Sequence, residues 1–353
     1  MNCDFVHVFL LSLLITFSFV STSGEVVDCS DLGIRINKFE LDSPVKDLIW
    51  LENEVVFILT NERNLYRSDN DGRTFANVMS FLENSQEAEP RFQSGVLAMY
   101  PSDSDPARVF FQGGGTVHWV TYDGGKSYLT RRIGLTLSGV KVHPRRADRL
   151  LAARLNDRCL GLTQAGLCFQ QLYVSGDFGG TWTRAVDFVQ QYEWGAGDGT
   201  VVYSAFDDAQ GAGGHQFLRD PSSLNLYRSR DMFASGMAGV ALVVRRGIGF
   251  KVSKSGIYVA SLESEGRMAL FVSRDDGVSF LPAVFPETMR QSRYTILDQD
   301  DGTVFVSVEK GETPRGGAEG ATTGDLYASV PDGESLLADD FEEGLTRWRG
   351  AGA

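Results

Sequence analysis

Short apolar runs recur along this chain, too brief for helices and too evenly spaced to be accidental. Residues 55–59 (VVFIL), 109–111 (VFF), 150–153 (LLAA), 201–203 (VVY), 257–260 (IYVA) and 304–306 (VFV) are continuous rather than alternating. That pattern marks strands covered on both faces. Each is followed by a second short run that closes on a hydroxyl residue: 65–68 (LYRS), 118–121 (HWVT), 172–175 (LYVS), 226–229 (LYRS), 270–273 (LFVS) and 326–329 (LYAS). Successive hydroxyl anchors stand 44 to 56 residues apart, the length of one four-stranded propeller blade with its loops. The pattern predicts an all-β fold, a β-propeller with about six blades.

The residues after each anchor explain the reversal. Ser175, Asp177, Gly179 and Trp182 fit the Asp-box pattern S-x-D-x-G-x-x-[WFY] in full, as do Ser273, Asp275, Gly277 and Phe280. Thr121, Asp123, Gly125 and Tyr128 fit with Thr for Ser. Ser68, Gly72 and Phe75 carry Asn70 at the Asp place; Ser229 and Asp231 lack the glycine; and Pro331 takes the Asp place after Ser329. A carboxylate at this position accepts from turn N–H groups, glycine permits a positive φ, and the aromatic begins the return strand. These aspartates read as turn staples and not as catalytic groups. Three insertions interrupt the blades, at 156–171, 207–222 and 309–323, and the latter two are Gly-rich and read as exposed loops.

Composition then narrows the compartment and the partners. Hydrophobic residues make up 42% of the chain, enough for a folded core, and the net charge of −13 argues against nucleic-acid binding. Residues 8–20 form an apolar run followed by small residues, so residues 1–23 read as a signal peptide, with an uncleaved signal anchor as the alternative, and the remainder as luminal or extracellular. Cys159 and Cys168 are spaced to close a short loop in an oxidising compartment, while Cys29 has no evident partner. His118, His143 and His215 are scattered, no metal spacing occurs, and no cofactor is implied. His143, before Pro144, reads as a packed strand-end residue.

Further residues sharpen the identity of the repeat. Val140, His143 and Pro144 precede the strand at 150–152; Cys159 and Cys168 follow, then the box at 172–182 and Tyr192-Glu193-Trp194. The Gly-less box at 226–233, Gly249-Phe250, Tyr258-Val259-Ala260, the box from Leu270, Pro286, residues 294–297 and 324–329 continue in order. In that order, over about residues 45–335, the chain resembles the luminal domain of the Vps10/sortilin sorting receptors. The resemblance implies a domain over 24–335 that captures protein or peptide cargo in Golgi-to-endosome traffic and is not an enzyme. It also implies a ring of ten blades followed by cysteine-rich modules, a membrane anchor and a sorting tail. Six boxes therefore amount to part of a ring, and membrane association depends on a segment beyond this chain. Residues 336–353 match nothing in the family. The resemblance further implies that Cys29 matches a family cysteine that bridges to one late in the ring.

In relatives an arginine holds a ligand carboxylate inside the tunnel, and the nearest counterpart is Arg267, for which a solvated hairpin arginine is the competing reading. An incomplete ring predicts bare faces on its end blades, exposing residues 55–59 and 304–308. A closed six-bladed secreted propeller is the alternative architecture. The alternative function is a sialidase-like glycosidase, which needs an arginine triad and an acid/base set; its nearest signature, Arg132-Ile133-Gly134, lacks the proline and follows the second box.

Overall fold

The computed structural model describes residues 38–52, 54–82, 95–155, 170–206, 224–262 and 268–283, and the backbone of 294–298, 304–310 and 323–329. Among these residues the fold is strand throughout, apart from two single-turn 3-10 segments, Met79–Phe81 and Gly236–Gly239. No helix among them is long and apolar enough to cross a membrane.

Each sheet is antiparallel and built from strands consecutive in sequence, the up-and-down order of a propeller blade. The first contains β1 (Val45–Trp50), β2 (Val56–Thr60), β3 (Leu65–Ser68) and β4 (Ala76–Asn77); the second contains β5 (Val96–Pro101), β6 (Val109–Gly113), β7 (Val117–Thr121) and β8 (Leu129–Arg132). The third is β9 (Ser138–His143), β10 (Arg146–Leu155), β11 (Gln170–Ser175) and β12 (Thr183–Asp187). The fourth is β13 (Val189–Trp194), β14 (Val201–Phe206), β15 (Leu224–Ser229) and β16 (Val240–Val244). The fifth is β17 (Gly247–Ser253), β18 (Gly256–Leu262), β19 (Met268–Ser273) and β20 (Leu281–Ala283). The sixth shows three strands, β21 (Tyr294–Asp298), β22 (Val304–Lys310) and β23 (Thr323–Ser329).

One register recurs in all six. An apolar residue of the second strand pairs with the hydroxyl residue that ends the third: Val56 with Ser68, Val109 with Thr121, Leu150 with Ser175, Val201 with Ser229, Ile257 with Ser273 and Val304 with Ser329. A one-residue slip would turn each strand over, so the shared register explains why the apolar runs and the anchors keep step along the sequence.

The chain divides into two compact units, Met1–Arg149 with Gly176–Thr181, and Leu150–Ser175 with Trp182–Ala353. In the first unit Phe57, Leu59, Val109, Phe111 and Trp119 form one core between the first two sheets. In the second, β14 is buried on both faces. Val201, Tyr203 and Ala205 pack toward Leu151 and Leu172 of the third sheet, and Val202 packs toward Ile257 and Val259 of the fifth. This is the two-sided burial that continuous apolarity foretold.

One expectation is corrected. Residues 55–59 are buried, not bare: Val56–Thr60 is covered at every position, because Phe57 and Leu59 lie in the core shared with the second sheet and the opposite face is also covered. The exposed apolar side chains of the first sheet sit instead on β1, at Val45, Leu48 and Trp50. Side chains of 304–308, residues 1–23 (read from the sequence as a signal peptide), Cys29, both Cys159 and Cys168, most of the three insertions, and 336–353 lie outside the described residues.

Candidate functional site

The sequence-nominated residues converge on one recurring turn. Strands β3, β7, β11, β15 and β19 end on Ser68, Thr121, Ser175, Ser229 and Ser273, and the next strand begins just after the aromatic place where one exists. The anchor hydroxyl accepts the N–H four residues on, from Gly72 (2.9 Å), Gly125 (2.8 Å), Phe233 (3.0 Å) and Gly277 (2.8 Å). It donates in turn to the side chain two residues on: Asn70 (2.9 Å), Asp123 (2.8 Å), Asp231 (3.2 Å) and Asp275 (2.8 Å). That side chain accepts the N–H four residues beyond it, from Thr74, Ser127, Thr181, Ser235 and Ser279 at 2.8–3.0 Å. Asn70 reproduces the geometry with its carbonyl oxygen, so the missing charge does not undo the turn.

Two consecutive left-handed residues make the reversal. The residue before the glycine place has φ of 54–66° at Asp71, Gly124, Phe178, Met232 and Asp276. Gly125 follows at φ 80°, with the Phe57 ring 2.5 Å from where a Cβ would stand. Phe233 holds φ 62° where the other boxes have glycine. The first of the pair is tied down by its own N–H, which donates to Glu54, Ala107, Asp148 and Gly199 in the first four blades.

The electrostatics follow from this wiring. Burial works against the Asp123 charge, but bonds from Ser127 and Thr121 outweigh it and hold its carboxyl below the ordinary value. Ser235 chiefly lowers Asp231, and Ser279 chiefly lowers Asp275. Carboxylates held so firmly ionised, with their oxygens spent on turn donors, make poor general acids.

Two arginines that sequence reading passed over link neighbouring blades. Arg67, one place before Ser68, donates Nε to the Gly124 carbonyl of the second blade at 2.7 Å. Arg228, one place before Ser229, donates Nε to the Asp276 carbonyl of the fifth blade at 2.5 Å. The Asp276 carboxylate also accepts the Ala196 (2.5 Å) and Gly197 (2.9 Å) N–H groups of the fourth blade. The signal was present, since 65–68 and 226–229 are the same tetrapeptide, but only the structure shows what the shared arginine reaches.

His143 ends β9 fully buried and accepts the Arg145 N–H on Nδ1 at 3.0 Å. His118 is also fully buried and bonded on both ring nitrogens. Arg267 lies outside the described residues. Among the described residues no cluster of His, Cys, Asp and Glu is placed to hold a metal.

A concave feature that the sequence did not announce lies in the second unit, a cavity of about 430 Å³ between β12 and the β14–β15 pair. Phe188, Phe206, Tyr203, Tyr227 and Met237 line it. At its rim Arg184 grips Asp187 with Nε (2.7 Å) and Nη2, and Gln171 adds a third donor to that carboxylate.

Comparison with known proteins places these features. The Sortilin-Vps10 family model, described as "Sortilin, neurotensin receptor 3", matches residues 52–335. "Vacuolar protein sorting/targeting protein 10" of Schizosaccharomyces pombe (strain 972) is 24% identical over 294 residues, which cover 78% of this chain and 18% of that protein. The chain thus spans less than a fifth of that relative's length. Among solved structures, uncharacterized protein lmo1340 from Listeria monocytogenes EGD-e is 12% identical with a TM-score of 0.45, covering 82% of this chain and 81% of its own. YCF48 bound to D1 peptide is 11% identical with a TM-score of 0.37, covering 82% and 78%. With most of its length matched by that family model, the chain belongs to the Sortilin-Vps10 family.

Proposed function

We propose that this chain is the ligand-capturing luminal part of a sorting receptor that carries protein or peptide cargo between Golgi and endosomal compartments. The family match over residues 52–335 carries the reading. The box carboxylates are occupied as hydrogen-bond acceptors within their turns, which fits staples of a binding propeller and leaves the choice between capture and hydrolysis to the family match. We place the family's carboxylate-holding role at Arg267.

Cross-linking of the tagged chain in the secretory lumen of intact cells, followed by identification of the captured proteins, tests the reading. Enrichment of a restricted set of soluble luminal proteins, weakened by Arg267→Ala, is the expected result. Turnover of a sialic-acid analogue by the purified chain, with no cargo captured, would overturn it and restore the glycosidase alternative.

A further inference from the structure

We propose that the outer edge of β16 binds an extended peptide segment of a partner protein, a short apolar run preceded by acidic residues, which adds a strand to the fourth sheet. The inference does not rest on the cargo reading, because it is drawn from β16 itself and does not involve Arg267.

The first observation is an edge left open where its counterparts are closed. β16 is the last strand of its sheet and pairs only with β15 among the described residues, so alternate N–H and C=O groups face outward. Such a row templates pairing with another chain, and proteins blunt it with short strands, charges or proline. The other outer strands follow that rule. β4 is two residues long, β8 ends in Arg131 and Arg132, β12 carries Arg184 and Asp187, and β20 contains Pro282. β16 reads Val-Ala-Leu-Val-Val and uses none of these devices. Its register shift falls at Val243, so Val240, Ala241 and Leu242 run straight against Ser229, Arg228 and Tyr227.

The second observation is the character of that edge. Ala241 is exposed, Leu242 is 41% exposed, and Met237, in the turn before the strand, is 60% exposed. When a peptide joins a sheet edge, main-chain hydrogen bonds supply affinity and alternate side chains supply preference. A segment that matches this edge is therefore apolar.

The third observation is the charge at one end. Residues 232–262 contain no Asp or Glu, in a chain of net charge −13. Arg245 and Arg246 follow β16 directly; both are exposed, and neither has a carboxylate partner among the described residues. Their backbone is fixed, because the Arg246 N–H donates to Asn225 Oδ1 at 3.0 Å and the Arg245 carbonyl accepts the Ser261 hydroxyl at 3.0 Å. In an antiparallel pairing, the slightly stabler kind, the N-terminal end of the added segment lies beside these two arginines. Acidic residues ahead of the apolar run complete the match. A second copy of this chain fits worse. Antiparallel pairing of two β16 edges would bring Arg245 of one copy toward the Val240 end of the other, where Arg230 is exposed.

The test titrates the whole chain against three peptides by ligand-observed NMR: acetyl-Glu-Glu-Val-Thr-Val-Thr-amide, its Lys-Lys counterpart, and the acidic peptide N-methylated along its Val-Thr run. The amide end removes the terminal carboxylate, so capture of that group is not what the titration reads. The acidic peptide should bind saturably and more tightly than the lysine peptide, and the N-methylated one should not bind. Arg245→Gln with Arg246→Gln keeps the backbone bonds of the turn. It should weaken the acidic peptide about 5-fold at low salt, the worth of two exposed ion pairs, with the gap closing at high salt. Ala241→Asp, an exposed site on the edge, should abolish binding, and a melting curve matched to the parent shows that the fold is kept. No saturable binding of the acidic peptide, equal binding of either comparator, or unchanged affinity in the double arginine variant would each overturn the proposal. So would sedimentation showing a dimer that Ala241→Asp dissolves while no peptide binds, which would give the edge to a second copy.

Discussion

Acidification should destabilise this chain through one buried imidazole, His118. The ring has no exposed surface and stacks against Phe110 at 5.7 Å. Its Nδ1 accepts the Gly113 N–H at 3.1 Å, which leaves Nε2 to carry the proton and donate to the Leu135 carbonyl at 3.0 Å. A second proton has no place to go without facing the Gly113 N–H. Burial accordingly pushes the group from 6.5 down to about 4, against the opposing pull of the Leu135 carbonyl. The unfolded chain then binds the proton more tightly than the folded one. Stability is full above the unfolded value and falls as pH drops from about 6.5 toward about 4. Linkage gives a loss of about 3 kcal/mol over the whole window and about 2 kcal/mol by pH 5. Urea unfolding of the parent chain and of His118→Gln, near neutrality and near pH 5, reads this directly. The parent should lose about 2 kcal/mol more than the variant between the two conditions. Equal losses, or an NMR titration of His118 near its unfolded value, would refute the reasoning.

Three further outcomes follow from the turns. Asp276→Ala should cost about 2–4 kcal/mol in urea unfolding by stranding two fourth-blade N–H groups beside Arg228, with Asp276→Asn less severe; a loss under half a unit would mean water replaces the carboxylate without cost. Gly125→Ala should cost about 2–4 kcal/mol, since a left-handed φ and a Cβ against the Phe57 ring add together; a neutral effect would show that the turn relaxes freely. Asp123, Asp231 and Asp275 are held below their ordinary value, so their contribution is complete above the unfolded carboxylate pKa and fades as pH falls through the folded one. This adds an acid limb below the histidine window. Ser127→Ala with Ser279→Ala should shrink that limb in a pH series of melting curves, and an unchanged limb would place the acid sensitivity elsewhere.

The blades were legible because two signals repeat together. Apolar runs such as 201–203 are buried on both faces, and the hydroxyl anchors pair with them in one register, so period and composition named the same strands. What resisted reading was whatever depends on residues that only the fold brings together, within a blade or between blades. The bare face assigned to 55–59 failed because local sequence cannot tell which surfaces cover a strand. His118 looked like a scattered histidine until Gly113 and Leu135 were placed around it. The cavity beside Tyr203 draws on β12, β14 and β15 at once, and no spacing along the chain encodes that meeting. Arg67 and Arg228 sat in identical tetrapeptides, yet a surface-facing strand arginine and an inter-blade staple look the same in one dimension.

That last ambiguity has a physical basis in the turn itself. The place before the box glycine varies without rule, as Gly124, Phe178, Met232 and Asp276, and a consensus would discard it. All four hold the same left-handed backbone, so the turn makes no demand on the side chain beyond tolerating that φ. Each of them meets the preceding blade. Gly124 offers its carbonyl to Arg67. Phe178 packs on Phe110 and Tyr122, with Arg108 over both the Tyr122 and Phe178 rings. Met232 joins the core that contains Leu151 and Leu172, and Asp276 binds Arg228 and two fourth-blade N–H groups. The recurring positions build a blade, and the variable one contacts the blade before it. A repeat protein needs both, since identical interfaces would let blades pair out of order.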